Sequence, residues 1–279
     1  MMPFTFLWLP NPVDEAVFAR RYAAKYFAVR DLMFRAIRAC VIPVFLCVRL
    51  WQHGLGWQAL NALLNVALNV LVEWMGFGWQ RDALGGKRTA MAVATRIVIL
   101  LTQAMDATSM EIPVQTPLSM VRFMLLPSGL LVLFLTSIFV PLLARHHLPV
   151  TLAGIVAMGF VTVPNACDVA VSAPESGAIV LAVWHFTNAV FTGGVLGESG
   201  QPAPYDACQG VVNMAHFVLG FLLPSFAMWA VEYEERTNFS EGISRPRELL
   251  TNDIIRKHMF LFFLVMGCVW LFLNLRVWM

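Results

Sequence analysis

Charged side chains are scarce in this sequence, which argues against a soluble globular domain. Asp, Glu, Lys and Arg make up 13% of the 279 residues, while hydrophobic residues make up 59%. Soluble domains carry about 25% charged residues. A soluble domain of this length must cover its surface with polar groups, and this chain has too few of them. Its apolar segments are therefore expected to face lipid.

Several function classes are excluded by what the sequence does not contain. The net charge of +2 is too small to indicate a nucleic-acid partner. Lysine occurs only at positions 25, 87 and 257, outside the centre of any apolar segment, which excludes a retinal Schiff base. The six histidines never form HxxH or HxxxH, so the histidine boxes of membrane di-iron enzymes are absent. No cofactor and no metal site are predicted.

The five cysteines give no metal-binding spacing and no CxxC motif. Cys40, Cys47 and Cys268 lie inside apolar segments, where a thiol usually packs as a small hydrophobic group. Cys167 and Cys208 fall at opposite ends of a predicted antiparallel helix pair. We therefore expect no disulfide framework.

Long apolar segments dominate the sequence instead, and they predict transmembrane helices. A run of about 20 apolar residues crosses the hydrocarbon core as a helix, in which every backbone polar group is satisfied. The segments lie at about 36–56, 58–78, 90–112, 123–144, 148–170, 177–195, 209–231 and 258–278. The predicted fold class is all-α, a polytopic transmembrane helix bundle of seven, alternatively eight, spans with short amphipathic interfacial helices.

The chain is predicted to have four parts. Residues 1–35 form a basic interfacial segment, and residues 36–231 form the main transmembrane bundle. Residues 232–257 form a basic, amphipathic connector, and residues 258–279 form a C-terminal transmembrane helix. The two basic parts are expected to contact the lipid bilayer at anionic headgroups or to contact a membrane-protein partner.

Basic residues concentrate on the cytoplasmic side of membrane proteins, and this rule sets the predicted orientation. If segment 90–112 or 177–195 does not cross, seven spans place both the N-terminus and the 232–257 connector in the cytoplasm. If both cross, eight spans place that connector outside. The sequon Asn238-Phe239-Ser240 lies in the connector, so the seven-span topology predicts that Asn238 carries no glycan.

Four polar residues spaced by four form the most specific pattern: Asn61, Asn65, Asn69 and Glu73. At four-residue spacing they form one slowly winding stripe along a helix. All other residues from 59 to 72 are apolar. Two interpretations remain open, a hydrogen-bonded ladder between helices and the wall of a polar pathway.

A second polar edge is predicted on segment 90–112, where Arg96, Gln103 and Asp106 share one side of a helix. If this segment inserts, Arg96 can pair with Glu73 and lower the cost of burying both charges. If it does not insert, Arg96 faces lipid headgroups.

A third pattern consists of a histidine and an asparagine three residues apart on each of two consecutive predicted helices. His185 and Asn188 lie on the first helix, and Asn213 and His216 lie on the second. If the helices are antiparallel neighbours, Asn188 and His216 lie at the same depth, within hydrogen-bonding or water-bridged reach. Ordinary buried packing and a proton or ligand site are both open at this point.

Three functions are consistent with these patterns. The first is a carrier or channel for a small polar solute or ion along the Asn/Glu stripe. Against it stand the absence of internal repeats and of paired helices broken by Gly or Pro. The second is a non-catalytic membrane scaffold or accessory subunit. The third is an intramembrane histidine-dependent enzyme or a haem or redox protein.

Overall fold

A computed structural model of the protein describes residues 11–53, 86–107, 114–193, 201–241 and 252–274, with separate positions between 56 and 71. All regular structure in these residues is helical. The all-α prediction is confirmed for this part of the chain. The largest buried apolar cluster includes Trp184 and Trp270, both fully buried, and smaller separate clusters hold the N-terminal helices and Ala92.

The N-terminal part is an unbroken helical rod that begins where its sequence supplies a cap. Helix α1 (Pro12–Tyr22) starts after Asn11, whose side chain accepts a hydrogen bond from the Val13 N–H. A π-helical turn, π1 (Ala23–Phe27), leads directly into α2 (Ala28–His53). The rod has a buried aromatic face formed by Phe18, Tyr22 and Phe27. This face packs against Leu143 and Phe239.

The remaining helices follow in chain order. They are α3 (Gly86–Ala107), α4 (Pro117–Leu125), α5 (Leu130–Phe139), α6 (Ala144–Ala170), α7 (Ser176–Thr192), α8 (Pro204–Ala215), the π-helical segment π2 (His216–Leu222), α9 (Leu223–Glu241) and α10 (Asn252–Leu273). Helices α8, π2 and α9 are continuous.

The segment predicted as one span at 123–144 is instead two helices, α4 and α5, which meet at an angle of 45°. Pro127 lacks a backbone N–H and disfavours helical geometry at the residue before it. Gly129 has a φ of 83°, in the left-handed region that favours glycine. These two residues explain why the apolar segment does not continue as one helix.

The predicted antiparallel pairing of α7 with α8 is wrong, because the two helices begin side by side. A Cβ placed on Gly177 would lie 3.2 Å from Pro204 Cγ. Trp184 and Gly210, each about two turns further on, both contact Asn274 at the end of α10. Trp270, one turn earlier in α10, bonds Asn188, one turn later in α7, so α10 is antiparallel to α7. Segment 177–195 and the helix that follows it therefore begin at the same end of the bundle.

A disulfide joins Cys167, near the end of α6, to Cys208, in the first turns of α8. The expectation of no disulfide is therefore wrong. It assumed that the two cysteines lie at opposite ends of a helix pair. Because α8 begins at the end of the bundle where α6 finishes, the Cα atoms are 5.8 Å apart and both residues are fully buried.

By length and composition, two described helices can cross a bilayer, Ala144–Ala170 and the continuous helix Pro204–Phe239. The bent pair α4–α5 adds a third if it counts as one span. Helix α7 and residues 259–273 of α10 are apolar but shorter. The seven or eight predicted spans are thus not supported within the described residues, whereas a membrane protein with two or three such helices is.

The extension of the last bundle helix beyond its apolar part is confirmed. Glu232 and Arg236 form the predicted i,i+4 ion pair, and α9 continues to Glu241. Residues 242–251, which hold most of the predicted amphipathic connector helix, lie outside the described residues.

The disulfide predicts a specific pattern of thiol labelling. In denatured, unreduced protein, a maleimide-polyethylene glycol reagent should modify three cysteines, namely Cys40, Cys47 and Cys268. After reduction it should modify all five. A gel-shift assay counts the modifications. Five modifications without reductant would contradict the pairing of Cys167 with Cys208.

Candidate functional site

The polar stripe that dominates the sequence, Asn61, Asn65, Asn69 and Glu73, lies outside the described residues. Asp106 belongs to α3, but its side chain is likewise outside them. Buried polar groups are found at three other levels of the bundle. From the end that holds α1 toward its centre, they are an ion-pair cluster, an arginine network and the α4–α5 break.

At the first level, an ion-pair cluster fixes α1 to the start of α6 and to α9. Arg236 is fully buried, and its Nη2 donates to Glu15 Oε1 at 2.9 Å. Its Nε donates to Glu232 Oε1 at 2.9 Å. Glu232 Oε2 accepts the Ala144 N–H at 2.7 Å, which satisfies a free amide at the start of α6. Arg145 also binds Glu15, at 2.9 Å.

Two further contacts hold the N-terminal rod on α9. Lys25 Nζ lies 2.6 Å from Glu235 Oε1, and the Tyr26 hydroxyl donates to the same oxygen at 2.5 Å. The hydrogen bond to Glu235 raises the pKa of Lys25, and burial raises the pKa of Tyr26. Lys25 is half exposed, so its ion pair adds little stability.

The sequence contains one signal for this cluster that the three polar patterns do not include. Glu15, Phe18 and Tyr22 follow at spacings of three and four, so helical periodicity places all three on one face. All three are buried. As an acidic residue in the first turn of a helix, Glu15 can be explained by the helix dipole alone. Its position on the same face as Phe18 and Tyr22 instead predicts that it is buried with a cationic partner.

At the second level, Arg96 of α3 forms a fully buried network. Its Nε and Nη2 donate to the Val140 carbonyl at 3.0 and 2.8 Å. Its Nη1 donates to Thr151 Oγ1 at 2.9 Å and lies 3.0 Å from His147 Nδ1. The other His147 ring nitrogen lies 3.0 Å from Ser225 Oγ on α9. One guanidinium thus connects α3, α5, α6 and α9.

The charge of Arg96 has no carboxylate partner among the described residues. Its main acceptor, the Val140 carbonyl, follows directly after α5, where the helix dipole is negative. Arg96 is 3% exposed, so the alternative in which it faces lipid headgroups does not hold. Its predicted pairing with Glu73 stays a prediction.

At the third level, the break between α4 and α5 lies against α3 and α6. Gln103 Nε2 donates to the Leu126 carbonyl at 3.1 Å, which satisfies one acceptor released by the break. A Cβ on Gly129 would overlap Met158 and touch Gln103. The backbone therefore approaches both side chains closely at this point.

The first turn of α5 is left without a side-chain cap. Its N-cap residue is Gly129, and no side chain accepts a hydrogen bond in the usual capping position. The Leu130 N–H makes only a long contact, 3.4 Å, with Ser128 Oγ. An uncapped helix N-terminus carries a partial positive charge and free N–H donors.

His216 is the most unusual side chain at this level. It is fully buried, and neither ring nitrogen has a hydrogen-bond partner among the described residues. The ring faces the backbone of Ser128, immediately before α5, without reaching hydrogen-bonding geometry. His216 also begins π2, and π-helical turns occur frequently at functional sites.

A second unpartnered group, Thr162 Oγ1, lies on α6. Thr162 is the one polar residue lining an apolar groove of about 430 Å³ between α3 and α6. Its hydroxyl is buried without a partner in the part of the chain that the structure describes. Met158, one turn earlier, lines the same groove and packs on Gly129.

The structure does not assemble the predicted His/Asn group. His185 is exposed beside Trp184, and Asn188 accepts a hydrogen bond from Trp270 Nε1 at 2.9 Å. Asn213 is half-buried against Gly159. The direct hydrogen bond expected between Asn188 and His216 is not formed.

Comparisons with protein-family models, with curated proteins and with solved structures find no match to this chain. Among the described residues, no three His, Cys, Asp or Glu side chains are grouped so that they could hold a metal ion. The interpretation of the site therefore depends on its own geometry.

The ion-pair cluster predicts a large and specific loss of stability when its centre is removed. Arg236→Met leaves Glu15 and Glu232 buried without their main cation, which should cost about 3–5 kcal/mol. Denaturation by SDS in mixed micelles measures the free energy of unfolding. Arg122→Met, at an exposed position on α4, is the matched control. Equal, small effects of both substitutions would contradict the role of Arg236.

Proposed function

We propose that this chain is a membrane transport protein, a carrier or channel that passes a small polar solute or ion at the α4–α5 break. One observation carries the proposal. The break faces His216, a fully buried imidazole whose two ring nitrogens have no hydrogen-bond partner in the described residues.

The energetic cost of this arrangement favours a ligand site over packing. A buried polar group without a partner costs about 1–3 kcal/mol. A scaffold gains nothing from that cost, because an apolar side chain would fill the same space. A transport site gains a group that is ready to bind a passing solute.

The other two buried levels support a polar route through the bundle. Along the continuous helix, His216, Ser225 and Glu232 belong to the break, the Arg96 network and the ion-pair cluster in turn. The stretch from His216 to Glu232 spans roughly 24 Å at 1.5 Å per residue, most of the hydrocarbon thickness. The Asn/Glu stripe of residues 61–73 remains a candidate for a further wall of this route.

From the sequence alone, the absence of helices broken by Gly or Pro counts against transport. The break between α4 and α5 supplies such a feature. Solute and ion sites of transporters are commonly formed near the bilayer midplane by discontinuous helices. The chain between α4 and α5 is such a discontinuity, with free N–H groups at the start of α5.

Two independent observations support an N-terminus in the cytoplasm. The basic N-terminal rod packs at the end of the bundle where α6 begins, and basic segments favour the cytoplasmic side. The disulfide of Cys167 lies about 35 Å along α6 from Ala144, and disulfides persist in oxidising compartments. In this orientation Asn238 is cytoplasmic and carries no glycan.

The outward face of α1 is proposed to contact anionic lipid. Arg20 and Arg21 are exposed, whereas the aromatic face of the same helix is buried. A basic helix beside the membrane is attracted by anionic headgroups. This contact would hold the cytoplasmic end of the bundle at the membrane surface.

Access of water to the break tests the transport proposal. In a chain with Cys40, Cys47 and Cys268 replaced by serine, Ser128→Cys should react with a membrane-impermeant methanethiosulfonate in intact membranes, because transport opens the buried break to water. Mass spectrometry of the modified protein gives the rate.

Phe160→Cys is the matched control, since Phe160 lies near the middle of α6 and is 80% exposed on its outer surface. A thiol there should remain unreactive, because it faces lipid and not water. If Ser128→Cys reacts no faster than Phe160→Cys, the break is dry and the transport proposal fails.

A further inference from the structure

We propose that the site at the α4–α5 break binds a small monovalent anion together with a proton, with the proton on His216 and the anion between that ring and the first N–H groups of α5. This inference rests on the proposed transport function and specifies the chemistry of its solute.

The start of α5 supplies half of the anion site. Helix α5 has ten residues, and its N-cap, Gly129, has no side chain to fill the free N–H groups. Free amides and the positive end of the dipole make a helix N-terminus a binding site for anions. Met158 and Gln103 approach Gly129 closely, which favours a small ion over a large one at this helix end.

His216 supplies the other half. Its ring lies against the backbone of Ser128, the residue that leads into this N-terminus, and neither ring nitrogen completes a hydrogen bond with a described residue. The helix that carries it packs closely here, because a Cβ on Gly220 would lie 3.2 Å from Leu133 on α5. The unpartnered imidazole and the uncapped amides therefore belong to one site.

The charges around His216 favour an anion over a cation. Helix α5 contains no titratable residue. On α6, Arg145, His146 and Asp168 lie near the two ends, and His147 is bonded to Ser225. The charged groups of α8 and α9 are at the outer ends too. They are Asp206 in the first turn of α8 and, on α9, Glu232, Glu234, Glu235, Arg236 and Glu241. No described carboxylate is placed to bind a cation beside His216.

The proton follows from the dry surroundings of the site. A lone anion and a lone imidazolium are each costly away from water, whereas the two together form a neutral pair. In this step one proton passes from solvent to a ring nitrogen of His216 as one anion enters, and both leave together. Proton uptake is therefore the signature of anion binding.

The experiment measures proton uptake by the purified full chain in detergent. Sodium nitrate or sodium chloride is added to a weakly buffered solution near pH 7, and a pH indicator records the change. We expect about one proton taken up per bound anion, because burial disfavours the charged ring until the anion enters. Sodium gluconate, with a large anion, should give no uptake.

Two variants assign the proton. His216→Gln should abolish the uptake, and His185→Gln, at an exposed histidine on α7, should leave it unchanged. Size-exclusion chromatography checks that each variant is folded. If His216→Gln does not fold, ¹⁵N-histidine NMR of the unsubstituted chain follows the rings directly. A nitrate-dependent imidazolium signal that persists in each single glutamine variant of the other five histidines supports the assignment to His216.

The outcomes separate this inference from the transport proposal. Labelling of Ser128→Cys without proton uptake on adding either anion overturns the anion site and leaves transport standing. Absence of both labelling and uptake overturns both. Uptake that survives in folded His216→Gln overturns the role of His216.

Discussion

The backbone break between α4 and α5 is the constraint on which the site depends. In lipid every backbone N–H and C=O must find a partner within the protein, so a helix can be interrupted only where other groups replace its lost bonds. Gln103 does this for the Leu126 carbonyl, and the Ser128 N–H reaches the Phe123 carbonyl. Among the first amides of α5, the Leu130 N–H makes a long contact of 3.4 Å with Ser128 Oγ, and the N-cap residue Gly129 supplies no side-chain bond. The break is thus satisfied on one side and open on the side that His216 faces.

Buried charges hold the helices around this break in place. Arg96 joins four helices through hydrogen bonds, and Arg236 joins the N-terminal rod to α9 through two carboxylates. Such groups are stable in an apolar bundle only when their donors are filled, which fixes the positions of the helices that carry them. Against this filled background, His216 and Thr162 stand out, because their buried polar atoms have no hydrogen-bond partner among the described residues.

The sequence predicted the helices well and their arrangement poorly. Apolar runs located most helices, since burial in lipid requires helical backbone. The break was missed although Pro127 and Gly129 mark it, because the apolar run continues through both. Glu15 could have been placed from its spacing to Phe18. The side-by-side start of α7 and α8 could not have been predicted, because it depends on the path of the chain between the two helices. The pairing of Cys167 with Cys208 depends on the same path.

Hydrogen–deuterium exchange at the start of α5 tests the central claim most directly. If the break opens to water, the amides of residues 130–132 should exchange much faster in detergent or nanodiscs than those of residues 153–157 on α6. Residues 153–157 lie in the middle of α6, where each amide has a helical partner, whereas the first amides of α5 lack helical partners. Mass spectrometry of the corresponding peptides gives the two rates. Equally slow exchange in both would show a dry, closed break and would contradict the account.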